Sequence, residues 1–491
     1  MMTIKHNVHG GNVLWVNIMA EDLQKALDLS VSSMILSASG WRKVFALSGE
    51  EEDRCSEIST ADKLICTAVA LSFYRHIGCT AGEHPVLVAR DARPTGKGIC
   101  DVICSVLASE GMNVAYAGIC SAPEIMAQSV KPCYCGFVFV SASHNPIGHN
   151  GIKFGKNGGV LSGEGVKPLI ETFRRLTEDA RNLQSEYDES IKFTVPEDSE
   201  LKKDCLRDYT DFVKYTTCPD GDFSSFAQTV ASKKLGIVAD LNGSARCLSI
   251  DKTFFSELGI KTCFINDTAG EVVHGIVPEG DNLKTCRDLL EKKHAEDSSY
   301  FIGYVPDNDG DRGNLVYIDK NNRATILKAQ DVFALCVYAT LSFFRHSGFD
   351  GKLAVAVNCA TSMRIDEIAR EFSAEVFRAE VGEANVVSLA DDLRKRGYNV
   401  PILGEGANGG NITFPARVRD PMNTLMCMLR LMQSQSVAST LELLPKYITT
   451  DAFSSDGVLH LSTDDFKSLK AEYEKTSQIY EVNDESQLAK E

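Results

Sequence analysis

The chain has 491 residues, 44% hydrophobic and 24% charged, the balance of a soluble globular protein long enough for about three or four domains. Its formal net charge of −16 argues against nucleic acid or an anionic membrane surface as a main partner, and no apolar run approaches the ~18 residues that cross a bilayer. The first twenty residues lack a secretory signal, and the 16 cysteines are scattered without a CxxC pair, so free thiols and a cytoplasmic location are expected.

In chain order, a basic turn at Ser37-Ala38-Ser39-Gly40-Trp41-Arg42 comes first. Residues 85–90 (PVLVAR) predict a buried strand that runs into a second basic turn, Arg90 to Gly96. A helix over 98–110, strands at 113–119 and 136–140, and a helix over 163–176 follow, and then a polar helix and linker over 177–200. The pattern restarts with strands at 235–240, 261–265, 300–305 and 314–318, with a helix after the first and a turn at 319–322. A third block has a strand from Lys352, a helix from Thr361, a strand near 375–378, a helix from Ala384 and a short strand at 400–403. A linker is expected at 434–440, and the polar end 483–491 is expected to fray. Such alternation predicts an α/β fold: three similar α/β/α domains in tandem, each built on a mixed sheet covered by helices.

Four segments carry chemistry. The apolar run 136–140 ends in Ser141-Ala142-Ser143-His144-Asn145-Pro146, and the end of a strand is where doubly wound sheets place ligands. Ser143 could accept a phosphoryl group there, with His144 and Asn145 as donors and Pro146 stopping the strand. Lys153, ten residues on, fits a hairpin returning past the serine, where it would neutralise a phosphate or move a proton. The same stretch also reads as a strand-to-turn junction whose Ser and Asn cap backbone groups.

In Pro306-Asp307-Asn308-Asp309-Gly310-Asp311-Arg312-Gly313, carboxylates at alternate positions converge on one point and suit Mg²⁺. A calcium EF-hand loop would need Gly and Glu where Arg312 and Ile318 stand; a solvated acidic turn is the bland reading. Gly404-Glu405-Gly406-Ala407-Asn408-Gly409-Gly410-Asn411 suits sugar hydroxyls, or is only a turn. Each basic turn could bind phosphate through Arg and backbone amides, although Asp91 and Arg93 equally read as a structural ion pair. Neither Gly-rich region matches GxxxxGK[ST], which argues against a P-loop kinase.

Together and in this order, these segments resemble the α-D-phosphohexomutase family, phosphoglucomutases and phosphomannomutases, over roughly residues 30–435. The resemblance makes Ser143 the phosphoserine, 307–312 the metal loop, Gly404-Glu405 the sugar loop and Ser39 to Arg42 the N-terminal arginine turn. It implies an intramolecular phosphotransferase that interconverts hexose 1-phosphate and hexose 6-phosphate through a hexose 1,6-bisphosphate, which also serves as activator. It further implies catalysis by Ser143, His144, Lys153 and Arg42, and Mg²⁺ held by Ser143, Asp307, Asp309 and Asp311. The phosphosugar would meet Ser39, Arg42, Asn145, Arg312, Glu383, Glu405 and Asn408. The expected domains are 1–195 with the phosphoserine loop, 196–322 with the metal loop, 323–435 with the sugar loop, and a partial C-terminal domain over 436–491.

Three departures stand out. The family's sugar loop usually reads Gly-Glu-x-Ser-Gly-His, but Ala407 and Gly409 replace the serine and histidine here, with Asn408 or Asn411 as the available polar groups. Glu383 stands after Gly382 where the family often has His, Lys or Asp. The family's C-terminal Arg-Ser-Gly-Thr-Glu-Pro-like phosphate loop is absent, and no arginine follows Arg430. Weak substrate binding is therefore expected. A catalytically impaired sugar-phosphate-binding pseudo-enzyme, or a bisphosphate synthase or phosphatase using the same phosphoserine, are the competing readings.

Overall fold

The structure, a computed structural model, describes residues 22–78, 82–406 and 409–434. The expected linker at 434–440 beyond Ser434, the domain at 436–491, and Ala407 and Asn408 lie outside the described residues.

Three mixed sheets follow one another along the chain. The first comprises β1 (Ile35–Ser37), β2 (Gly40–Val44), β3 (Val86–Arg90), β4 (Val114–Ile119), β5 (Gly136–Val140), β6 (His149–Lys156) and β7 (Gly159–Val160). Its order is β1-β2-β6-β5-β3-β4, with β7 on β6. β3 lies parallel to β4 and β5, whereas β6 returns antiparallel to β5. The strand period of two explains why β3 and β5 read as unbroken apolar runs. Val86, Val88, Val138 and Val140 enter one core with the helices Thr60–His76 and Gly96–Ser109. Leu87, Ala89, Phe137 and Phe139 enter another with Ile125 and Met126 of the helix Ala122–Ser129.

The second sheet holds β8 (Gly236–Asp240), β9 (Lys261–Ile265), β10 (Tyr300–Pro306), β11 (Gly313–Ile318) and β12 (Ala324–Ile326), in the order β12-β11-β10-β8-β9. The third holds β13 (Leu353–Asn358), β14 (Ala374–Ala379), β15 (Asn399–Gly404) and β16 (Ile412–Thr413), in the order β14-β13-β15-β16. In each, the central strands are parallel and a hairpin partner runs back. The chain is thus a tandem of α/β units, as its alternation predicts.

Several helices went unread in the sequence, among them Thr60–His76, Leu201–Thr217 and Ala329–His346. Thr60–His76 is buried along most of its length, so it lacks an amphipathic stripe; Ser59 caps it by accepting from the Asp62 N–H. The helix Leu201–Thr217 sends Tyr209 and Val213 into the core shared by the second and third sheets. The first basic turn proves to be a hairpin, Ser37 pairing with Gly40. All described cysteines are free, and no helix among the described residues is long and apolar enough to cross a membrane.

Candidate active site

The carboxyl ends of β5, β10 and β15 open onto one cleft, the position where α/β sheets bind ligands. From β5 comes Ser143, whose hydroxyl donates to Asp307 Oδ2 at 2.9 Å, while Ser141 Oγ donates to Asp309 Oδ2 at 2.9 Å. The β5–β6 hairpin pairs Phe139 with Lys153. It brings Lys153 Nζ to 2.7 Å from Asp309 Oδ2 and 3.8 Å from Asp311 Oδ2. Serine and lysine thus reach the acidic loop from the same hairpin.

Asp307, Asp309 and Asp311 are buried, with one oxygen of each lying within 4.8 Å of the others. Burial, and then the charges of Asp309 and Asp311, push Asp307 well above the ordinary carboxylate range. Asp309, despite the cost of burial, is held well below that range by Lys153 and Ser141. Asp309 Oδ1 and Asp311 Oδ1 are buried without a hydrogen-bond partner. Hard oxygens crowded this closely, with orphaned lone pairs, fit a small divalent cation such as Mg²⁺.

Ser143 itself has φ 52°, in the left-handed region that L-residues seldom adopt. Arg93, 0% exposed, holds it there. Its guanidinium donates to the carbonyls of Ser143 and Asn145 at 2.6 Å each, of His149 at 3.1 Å, and of Pro146. Nε is paired with Asp91 at 3.2 Å. Of the two readings of the second basic turn, the structural ion pair is the one observed, and it forms the frame of the serine loop. Gly151 lets this frame close, since a Cβ there would lie 2.7 Å from the Ser141 carbonyl oxygen.

His144 Nδ1 accepts from Arg312 Nη1 at 2.6 Å. Burial, then the positive charges of Arg312 and Arg42, push the imidazole down to about 3, so the ring is neutral and orients the guanidinium. Arg42, on β2, donates to Ser39 Oγ at 2.7 Å, and feels the charges of Arg312, Asp309 and Asp311. Ser39 is exposed at the rim. Asn145 Oδ1 is buried without a partner. From β15, Glu405 Oε1 accepts from Asn358 Nδ2 at 3.0 Å and from the Gly382 N–H at 2.7 Å. Asn408 lies outside the described residues.

Arg419 escaped the sequence reading. Its guanidinium lies 2.9 Å from Glu383, 3.7 Å from Glu405 and 3.7 Å from Asp311, joining the metal loop to the sugar loop. The adjacent Asp420 faces the other way, accepting from Tyr209 Oη at 2.8 Å and lying 3.6 Å from Arg246. The available signal was an Arg-Asp pair immediately before the apolar helix Pro421–Ser434.

Comparison with known proteins agrees with this architecture. Family models for the alpha/beta/alpha domains I and III of phosphoglucomutase/phosphomannomutase match residues 46–179 and 331–447. A phosphoglucosamine mutase of Methanococcus maripaludis strain C5 is 29% identical over 314 residues, 63% of this chain and 62% of that protein. The chain therefore matches less than two thirds of that relative's length. A phosphoglucomutase/phosphomannomutase of Thermococcus kodakarensis is 28% identical over 374 residues, 74% of this chain and 73% of its own. A phosphoglucomutase/phosphomannomutase family protein of Burkholderia thailandensis shares the fold, with a TM-score of 0.58 at 18% identity, covering 83% of this chain and 79% of that one.

Proposed function

Because the chain belongs to the α-D-phosphohexomutase family, we propose that it moves a phosphoryl group between Ser143 and the two ends of a hexose phosphate. The observation that carries this reading is the Ser143 hydroxyl 2.9 Å from Asp307, in a buried triad that Lys153 also reaches. Hexose 1-phosphate and hexose 6-phosphate would interconvert through a hexose 1,6-bisphosphate, which also primes Ser143.

The geometry supports the following roles. Ser143 Oγ carries the phosphoryl group; on transfer its P–O bond breaks, a new one forms to a sugar hydroxyl, and the sugar's proton is returned to Oγ. Burial disfavours a charged Lys153, but Asp309 and Asp311 outweigh it and raise its pKa. Lys153 therefore stays a cation, supplying charge and N–H donors beside the moving group. His144 aims Arg312, while Arg42 and Ser39 line the entrance. Asp307, Asp309, Asp311 and Ser143 would hold Mg²⁺. When bound, the ion stabilises negative charge on the phosphoryl oxygens. Glu405, Glu383 and Arg419 offer acceptors and donors to sugar hydroxyls in either orientation, with Asn145 and Asn408 completing the proposed contacts.

Intact-mass measurement with and without hexose 1,6-bisphosphate and Mg²⁺ tests this. A single phosphoryl adduct mapping to Ser143, absent in Ser143→Ala, is expected; no adduct on the natural chain sinks the reading. Turnover of glucose 1-phosphate, mannose 1-phosphate and glucosamine 1-phosphate then names the hexose. Ala407 and Gly409 in the sugar loop favour one second reading. In it the same phosphoserine loses its group to water or releases the bisphosphate, and an adduct without isomerisation would mark that outcome.

A further inference from the structure

We infer that Cys120, Glu124 and Cys205 form a second metal site, for a borderline-soft divalent cation of the zinc class. Their ligand atoms are buried and all lie within 4.8 Å of one another. Zinc bonds of ≈ 2.3 Å to sulfur and ≈ 2.0–2.2 Å to oxygen put tetrahedral ligands roughly 3.3–3.8 Å apart, so closing the cluster needs shifts of at most about an ångström. Two packed helices position the three ligands. Cys120 stands two residues before the helix Ala122–Ser129, Glu124 lies in that helix's first turn, and Cys205 lies on Leu201–Thr217.

The surroundings are those of a supported ligand set. Ser249 Oγ donates to Glu124 Oε2 at 3.2 Å. Lys202, one helical turn before Cys205, places Nζ 2.5 Å from Glu124 Oε1 and 3.8 Å from Cys120 Sγ. Without metal, Lys202 and Glu124 form an ion pair beside the two thiols. The exchange is M²⁺ + 2 RSH → M(SR)₂ + 2 H⁺, with both protons leaving to solvent. The buried charge is the same before and after, so loading strands no unpaired ion. Thiolates select against Mg²⁺, which prefers oxygen, and this site would not compete with the Asp loop for its ion. The two are nonetheless neighbours, because the Ala122 N–H donates to the Asp309 carbonyl at 2.7 Å. The bland reading, a buried ion pair flanked by inert thiols, predicts no metal binding at all.

The full-length chain, reduced and metal-free, is titrated with Co²⁺ in excess Mg²⁺ while thiolate-to-cobalt charge-transfer absorption is followed. One cobalt per chain, displaced by Zn²⁺, is expected. Cys120→Ser or Cys205→Ser should lower affinity more than about 10-fold and Ser249→Ala about 10-fold, whereas Asp309→Asn should leave the band unchanged. The absence of a band in the folded protein overturns the proposal, as does a band that survives in the double serine variant. Should the serine variants fail to fold, Glu124→Gln decides: unchanged cobalt affinity overturns the site, and a fall of about 10-fold or more supports it.

Discussion

Lys153→Met is expected to slow phosphoryl transfer to and from Ser143 by about 10²–10⁴-fold, without weakening Mg²⁺ binding at the Asp loop. Lys153 is buried against Asp309 and Asp311, so it serves as counter-ion to the triad and as donor to the group that moves. Its removal leaves the triad more negative, which strengthens attraction for a cation while taking charge and N–H groups from the transition state. The same substitution strands buried carboxylates and should cost about 3–5 kcal/mol in the absence of metal, with much of that restored by Mg²⁺. Single-turnover transfer from hexose 1,6-bisphosphate, read beside a Mg²⁺ titration, separates the two roles. If transfer falls only in proportion to metal affinity, Lys153 is a counter-ion and nothing more.

Arg93→Ala should destabilise the serine loop by about 3–5 kcal/mol. One fully buried guanidinium satisfies four carbonyls of the loop and pairs with Asp91, itself 0% exposed. Without it, Asp91 is a buried unpaired charge and the carbonyls lose their donors, each unmade bond carrying its own desolvation cost. Arg93→Lys should recover little, because an ammonium cannot span a planar fork of acceptors. Denaturant unfolding and hydrogen exchange over residues 143–149 give the readout. A loss below about 1 kcal/mol, the worth of a single ordinary hydrogen bond, would mean that the loop keeps its shape by other means.

The elements that position the cleft were largely readable. Buried parallel strands announce themselves as short apolar runs, so β3, β5, β8, β10 and β13 were visible, and the chemistry placed at their ends was visible with them. The return of Lys153 past Ser143 was also readable, because an antiparallel hairpin fixes register locally. What stayed hidden depends on distant packing. Thr60–His76 shows no polar face from which a period could be taken. Arg93 looks the same in a sequence whether it meets a phosphate or four carbonyls. Arg419 reaches Asp311, Glu383 and Glu405 only when the second and third sheets meet; the neighbouring Asp420 marks the position but not those partners.

The backbone at Ser143 also bears on which hydroxyl amino acid can hold the position. At φ 52° an unbranched side chain is tolerated at modest strain, but a β-branched residue is a genuine outlier. Threonine offers the same nucleophilic oxygen, yet its extra methyl group would oppose the turn that Arg93 enforces. Glycine would relax the turn and delete the nucleophile. The choice of serine over threonine is therefore made by the main chain, before any phosphate arrives.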